Sequence, residues 1–192
     1  FNRFKNWEDP KSSENSRQAV YAFKGDVYSG LDADTIQDDK FEYLQKTLRI
    51  ISGYYGILRP FDKILPYRLE MGTRLENENG NNLYKFWGDK ITDVLNDDIE
   101  DNDIVVNLAS DEYFKSINKE KLNAEIITPV FKEFKNDSYK VIAIYAKKAR
   151  GLMSRFLIER KSKNVDDIKL FNTDGYTFDG NLSTENELVF TR

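Results

Sequence analysis

Apolar residues recur every three or four positions in three stretches of this chain. Phe41, Leu44, Leu48 and Ile51 fall on one face of a helix that is expected to stop at Ser52-Gly53, where a C-terminal glycine would end it. Leu83, Phe86, Trp87, Ile91, Val94 and Leu95 form a broader stripe, which predicts one helix over residues 83–95. Leu152, Met153 and Phe156 place a third helix over residues 145–158. Shorter apolar helices are expected around Ala19, Val20, Ala22 and Phe23, capped from Ser12-Ser13-Glu14, and over residues 165–170. Runs rich in β-branched and aromatic residues predict strands over 104–108, 124–134, 138–145, 176–178 and 187–190, with Asn136-Asp137 turning between the second and third.

Punctuation between these elements is equally readable. Pro60 and Pro66 forbid one continuous helix after Gly53, so residues 53–72 read as a tight hairpin, a helical turn and a short extended run. In that run Tyr67, Leu69 and Met71 alternate with Arg68 and Glu70. The acid-rich stretches 32–39 and 97–103 and the polar stretch 77–82 are solvated turns, and Ser110 heads a helix with Asp111 and Glu112 in its first turn. Helices and strands mix without a regular βαβ beat, so the expected class is α+β: a mixed sheet with surrounding helices in a single domain spanning residues 1–192.

Two missing residue types narrow the chemistry. The chain has no Cys and no His, which removes disulfides, thiolate and imidazole metal sites, a cysteine nucleophile and the commonest general base. Ser110 has no His to activate it and no Gly-x-Ser-x-Gly elbow around it, so a hydrolase triad is unsupported. Any metal would have to be held by oxygen, and no cofactor is expected. No stretch approaches eighteen consecutive apolar residues, so nothing is expected to span a membrane.

Charge changes the picture most. Between Lys140 and Lys163 there are eight Lys or Arg against the single acid Glu159, a local net of +7, in a chain whose remainder carries −11. Such asymmetry is a footprint for phosphate-bearing partners. Lys147, Lys148, Arg150 and Arg155 all lie on the third helix. A charge run on a helix is more often a solvated face, but Ala149, Gly151 and Ser154 among the cations would let a flat ligand approach. Gly151 alternatively serves packing, or marks a boundary.

A second candidate lies at Gly53 to Gly56, where glycines could turn backbone N–H groups toward a phosphate. It follows an amphipathic helix and precedes Arg59, the order of a helix-hairpin-helix DNA-binding unit, although glycines two apart rather than three are usual there. Arg68 and Arg74 stand among prolines and glycines where a guanidinium could fork onto a phosphate, and Arg68 could equally pair with Glu70. Tyr54, Tyr55, Tyr67, Tyr113 and Tyr145 flank these cations, either as half-buried packing or as faces for bases to stack on.

Several blocks in order along the chain then resemble the YaaA family of peroxide stress resistance proteins. They are Ala22-Phe-Lys-Gly-Asp-Val-Tyr28, Ser52-Gly-Tyr-Tyr-Gly-Ile-Leu-Arg-Pro60, Pro66-Tyr-Arg-Leu-Glu-Met-Gly72, Trp87-Gly-Asp89, Asn107-Leu-Ala-Ser-Asp-Glu-Tyr-Phe114 and Tyr145-Ala-Lys-Lys-Ala-Arg-Gly151. The resemblance implies a cytoplasmic bacterial protein that limits iron-driven oxidative damage to DNA and protein. It implies an α+β fold likened to a cantaloupe, with a helix-hairpin-helix element and a positively charged cleft that binds DNA. Carried over residue by residue, the hairpin is residues 52–59 and the cleft is Lys147, Lys148, Arg150 and Arg155. Family members open with a strand and an Ile-Ser-Pro-Ala-Lys-like segment that is not found here, so the chain is expected to lack the N-terminal part of the family fold.

The expected function is binding of double-stranded or distorted DNA through its phosphates, by Gly53, Gly56, Arg59, Arg68, Lys147, Lys148, Arg150 and Arg155, with no catalytic residue. The rival is an enzyme on a phosphorylated or anionic small molecule in the same cleft, with Asp111 or Glu112 as acid or base. Direct iron binding ranks last, because Asp32, Asp34, Asp38 and Asp39 offer carboxylates but neither imidazole nor thiolate, so no tight metal is expected.

Overall fold

The computed structural model describes residues 8–192. The irregular start expected over residues 1–10 therefore lies outside the described residues as far as residue 7. The sheet is organised around strand β6 (Glu125–Lys135), whose Ile127 and Phe131 alternate into the core. Strand β5 (Ile104–Val106) pairs parallel with its first residues, and β9 (Glu187–Thr191) pairs parallel along Thr128 to Lys132. Strand β8 (Thr177–Phe178) adds antiparallel to β9, and β7 (Ser138–Lys140) folds back antiparallel onto the end of β6. The last connection turns at Asn136 and Asp137, whose φ values of 52° and 57° make the two-residue hairpin that Asn-Asp favours.

Helix α7 (Ala143–Arg160) lies between this sheet and the N-terminal half. Ala146, Ala149 and Met153 pack with Ile127, Phe131 and Phe190 of the sheet. Ile158 belongs to a second core, with Leu31, Leu44, Ile50 and Ile64. The elements on that side are β1 (Arg17–Gln18), α1 (Ala19–Ala22), α2 (Asp26–Leu31), α3 (Phe41–Thr47), the antiparallel pair β2 (Ile50–Ser52) and β3 (Gly56–Leu58), and β4 (Lys63–Ile64), which pairs with β1. A third core holds Met71, Leu83, Ile91, Phe114, Ile117 and Leu122, contributed by α4 (Leu83–Trp87), α5 (Lys90–Asp98), α6 (Asp111–Phe114) and their loops. Helix α8 (Val165–Lys169), capped by Asn164, closes the sheet side with Ile168 and Phe171. The class is α+β with a mixed sheet, as the pattern predicts.

Helix α7 meets α2 at unusually close range. A Cβ on Gly151 would stand 1.9 Å from the Val27 carbonyl oxygen, and one on Gly30 would stand 2.3 Å from the Lys148 carbonyl oxygen. The two glycines therefore let the helix backbones touch. Of the two roles open to Gly151, packing is the one observed. Ala146 and Ala149 are buried against the sheet, and the buried Ser154 hydroxyl donates to the Arg150 carbonyl at 3.1 Å. The small residues of α7 serve its close fit between two layers rather than the approach of a ligand.

Four expected elements differ, the first being the strand expected over 138–145, which stops at Lys140 because α7 already begins at Ala143. The helix beginning at Phe41 ends at Thr47, not at Ser52, because the Arg49 guanidinium takes the last carbonyls of Gln45, Lys46 and Leu48, and the β-branched pair Ile50–Ile51 is drawn into a strand. The helix expected over 83–95 is broken in two at Gly88, whose φ of +51° no helix accommodates. The segment Ser12-Ser13-Glu14 caps nothing; α1 starts after Gln18, and Ser13 makes local turn bonds with Asn15 and Ser16. Ser110 does sit at the head of α6, but its side chain makes no cap bond.

Candidate nucleic-acid interface

The hairpin at Gly53 and Gly56 joins two strands, so its flanks are not those of a helix-hairpin-helix unit. Ser52 builds the turn by accepting from the amides of Tyr54 and Tyr55. Both glycines answer to internal neighbours: a Cβ on Gly53 would meet the Leu69 carbonyl oxygen at 2.4 Å, and one on Gly56 (φ +75°) would meet the Trp87 ring at 2.8 Å. The Trp87 indole donates to the Gly53 carbonyl at 3.1 Å. Tightness against the rest of the protein explains these glycines.

The six expected cations divide into two groups. Arg155 is spent on structure: its Nη1 reaches the Leu31 and Asp32 carbonyls and Thr35 Oγ1, its Nη2 the Thr35 carbonyl, and its Nε Glu159 at 2.7 Å. Arg59 donates to Asp98 at 2.6 Å, and Asp98 also takes two bonds from Arg49. Burial pushes the Asp98 carboxyl up, but those hydrogen bonds and charges outweigh it and hold it below the usual carboxylate range. Lys148 lies 3.8 Å from Asp174, and Arg68 is almost fully exposed, 4.0 Å from Glu70. Lys147 is exposed.

Arg150 is the exception. Its side chain is half-buried, yet among the described residues its guanidinium makes no hydrogen bond and no ion pair. Burial lowers its pKa, and Asp111 pulls the other way without reaching ion-pair distance. An Arg stays protonated regardless, so the residue is a desolvated positive charge whose donors lack a protein acceptor.

Blocks that carry the family resemblance, spread over 130 residues of sequence, are joined by contacts in the fold. Gly72 N–H donates to Glu112 Oε1 at 2.8 Å and Tyr84 to the Glu112 carbonyl, joining the 67–72 segment and α4 to α6. The Tyr67 and Ser52 hydroxyls are 2.5 Å apart, and the Tyr67 ring meets Phe23, which stacks on Tyr28 at 5.5 Å. Val27, next to Tyr28, touches Gly151, next to Arg150. Burial first, and then the neighbouring phenols, raise Tyr28 well above the ordinary tyrosine value, while burial raises Tyr67 to about 12 despite the Ser52 bond. Tyr113 is raised by burial and by Glu112 and Glu70. These phenols are neutral donors at physiological pH. Tyr28 was not singled out in the sequence; only its place within a resembling block could have found it.

The two best-formed surface depressions lie elsewhere. One of about 780 Å³ is formed by residues 76–81 and Lys85, and one of about 560 Å³ by Ile127, Phe178, Leu188 and their neighbours at the sheet. Neither has a lining residue from α7. No helix among the described residues is long and apolar enough to cross a membrane.

Fold and site together define an α+β protein with a mixed sheet and a central helix presenting unpaired positive charge. The chain belongs to the family of the peroxide stress protein YaaA, whose family model matches residues 1–182. It is therefore placed among proteins of the peroxide stress response.

Proposed function

We propose that the protein serves the peroxide stress response by binding DNA through backbone phosphates on the first half of α7, with Arg150 at the centre and Lys147 and Lys148 beside it. The observation that carries this is the unpaired, half-buried Arg150 guanidinium. A buried charge without a protein partner is costly, and a phosphate oxygen supplies what it lacks. Lys147 stands three residues before Arg150, on the same helix face and exposed. Arg68, exposed and held only by a 4.0 Å ion pair with Glu70, joins from the loop that meets α6, whereas Arg59 and Arg155 contribute to the fold.

Fluorescence anisotropy with a labelled duplex tests this across a salt series. Three phosphate contacts predict a slope of log K against log salt of about −3. Lys147→Glu combined with Arg150→Glu should weaken binding by at least about tenfold, a loss of about 1.4 kcal/mol. Affinity independent of salt, or unchanged in that double variant when it is folded, refutes the reading. The rival, an enzyme on a phosphorylated small molecule, shares Arg150 and leaves only Asp111 for acid–base work, since Glu112 is committed to the Gly72 amide.

A further inference from the structure

Three tyrosine rings meet at the turn between β2 and β3. Tyr54 stands 4.9 Å from Tyr55 and 5.5 Å from Tyr67, and Tyr55 stands 5.4 Å from Tyr67, centroid to centroid. The chain has 11 tyrosines, and among the described residues these three pairs are the only contacts between tyrosine rings. The pairs differ in orientation. Tyr55 meets Tyr54 and Tyr67 edge to face, at 78° and 79°, whereas the planes of Tyr54 and Tyr67 are tilted by only 33° and come nearest to lying face over face.

The rings are held in place from both segments. The Tyr67 hydroxyl and Ser52 Oγ are 2.5 Å apart, and the same Ser52 oxygen accepts from the amides of Tyr54 and Tyr55. The Tyr55 hydroxyl accepts from the Leu65 amide at 3.0 Å. Behind the turn, the Gly53 backbone lies against the Leu69 carbonyl, and the Gly53 carbonyl accepts from the Trp87 indole. Phe23 packs edge-on to Tyr67. Tyr54 nevertheless reaches the surface, with 37% of its area exposed. The triad therefore combines a phenol that dissolved species can reach with a second phenol fixed against its face.

From this geometry we propose that Tyr54 and Tyr67 form a site of oxidative modification, where one-electron oxidising radicals join the two rings as dityrosine. Such radicals arise where peroxide meets ferrous iron. A radical takes one electron from the exposed Tyr54 phenol, which releases its proton to water. The Tyr54 phenoxyl then takes an electron from Tyr67 across the ring contact, Tyr67 releases its proton, and Tyr54, having regained its own, is oxidised by a second radical. The two unpaired electrons pair in a bond between ring carbons ortho to the oxygens, and the hydrogen on each of those carbons moves to the oxygen beside it. Two radicals are reduced, two protons leave and the chain is two hydrogens lighter. Rings already in contact couple at an effective concentration that encounters between chains do not match. With no Cys in the chain and both methionines 0% exposed, no sulfur competes for the radical at the surface. The new bond ties the β2–β3 turn to the segment that carries Arg68, and it forms whether or not the protein binds DNA.

Radiolysis of the whole chain in azide solution tests the proposal, because azide radicals are one-electron oxidants selective for phenols and indoles. The dilute, folded protein should develop dityrosine fluorescence while remaining a single chain on a denaturing gel. Peptide mass spectrometry should find the segments containing Tyr54 and Tyr67 joined with the loss of two hydrogens. Tyr54→Phe and Tyr67→Phe both keep the ring packing, and each should abolish the emission, with circular dichroism matching the native chain. Tyr139→Phe, which alters an exposed ring in contact with Phe134, should leave the emission unchanged. No dityrosine in the native chain, dityrosine only between chains, a link joining any other pair, or emission that survives in folded Tyr54→Phe overturns the proposal.

Discussion

Replacing Gly151 with alanine tests the central contact of the fold. Helix propensity alone favours the change by about 1 kcal/mol. The new Cβ would stand 1.9 Å from the Val27 carbonyl oxygen and 2.8 Å from the Leu31 amide nitrogen, both backbone atoms that cannot rotate aside. Restoring ordinary van der Waals separation requires α2 and α7 to part by about 1.5 Å. Overpacking of this kind costs about 1–3 kcal/mol. The same movement stretches the four bonds from Arg155 to Leu31, Asp32 and Thr35, a charge-assisted set whose loosening costs about 1.5–3 kcal/mol more. The balance is a destabilisation of about 1.5–5 kcal/mol, or about 3–20 °C in Tm for a chain of this size. Differential scanning calorimetry of Gly151→Ala measures it. A Tm equal to or above that of the native chain would show that the close crossing is not needed and refute the reasoning. Gly30→Ala should act in the same direction, and the double variant should lose less than the sum, since both force apart the same helix crossing.

Two further outcomes follow from the paired cations. Arg155→Ala should lower stability by about 2–3 kcal/mol in urea denaturation while leaving DNA affinity of the folded protein within about twofold, whereas Arg150→Ala should do the reverse. Asp98, held below its usual pKa by Arg49 and Arg59, contributes stability that is complete above the unfolded carboxyl value of about 3.9 and is lost as pH falls toward the folded value. Asp98→Asn should therefore cost about 1–3 kcal/mol at neutral pH and flatten the fall in Tm between about pH 5 and pH 3; an undiminished fall would assign acid sensitivity to other carboxylates.

The sequence announces most elements because local signals decide them. Asn136-Asp137 turns where its left-handed preference says it will, and the period of Leu152, Met153 and Phe156 finds α7 to within two residues at each end. Where long-range contacts decide, the sequence misleads. The side chain of Arg49 is held by Asp98, 49 residues on, as it covers the last carbonyls of α3, and the Trp87 beside Gly88 reaches Gly53, 34 residues back. For the site, composition identified α7 as the place of positive charge but could not say which cations were already engaged. Arg155 and Arg150 look alike in a list of residues. One is bonded to α2 and the segment after it, and the other is half-buried with no protein partner for its guanidinium among the described residues.

The positions of the two methionines have a consequence for a protein of the peroxide response. Met71 sits in the core formed with α4, α5 and α6, and Met153 between α7 and the sheet; both are 0% exposed. With no cysteine in the chain, these thioethers are its only sulfur. Hydrogen peroxide reacts as a two-electron oxidant with thiolates and accessible thioethers, and a sulfoxide in either core would place a polar group where only apolar atoms fit. Its folded surface therefore presents no soft nucleophile, and the oxidant that calls on this family meets a protein whose vulnerable atoms are sealed inside it.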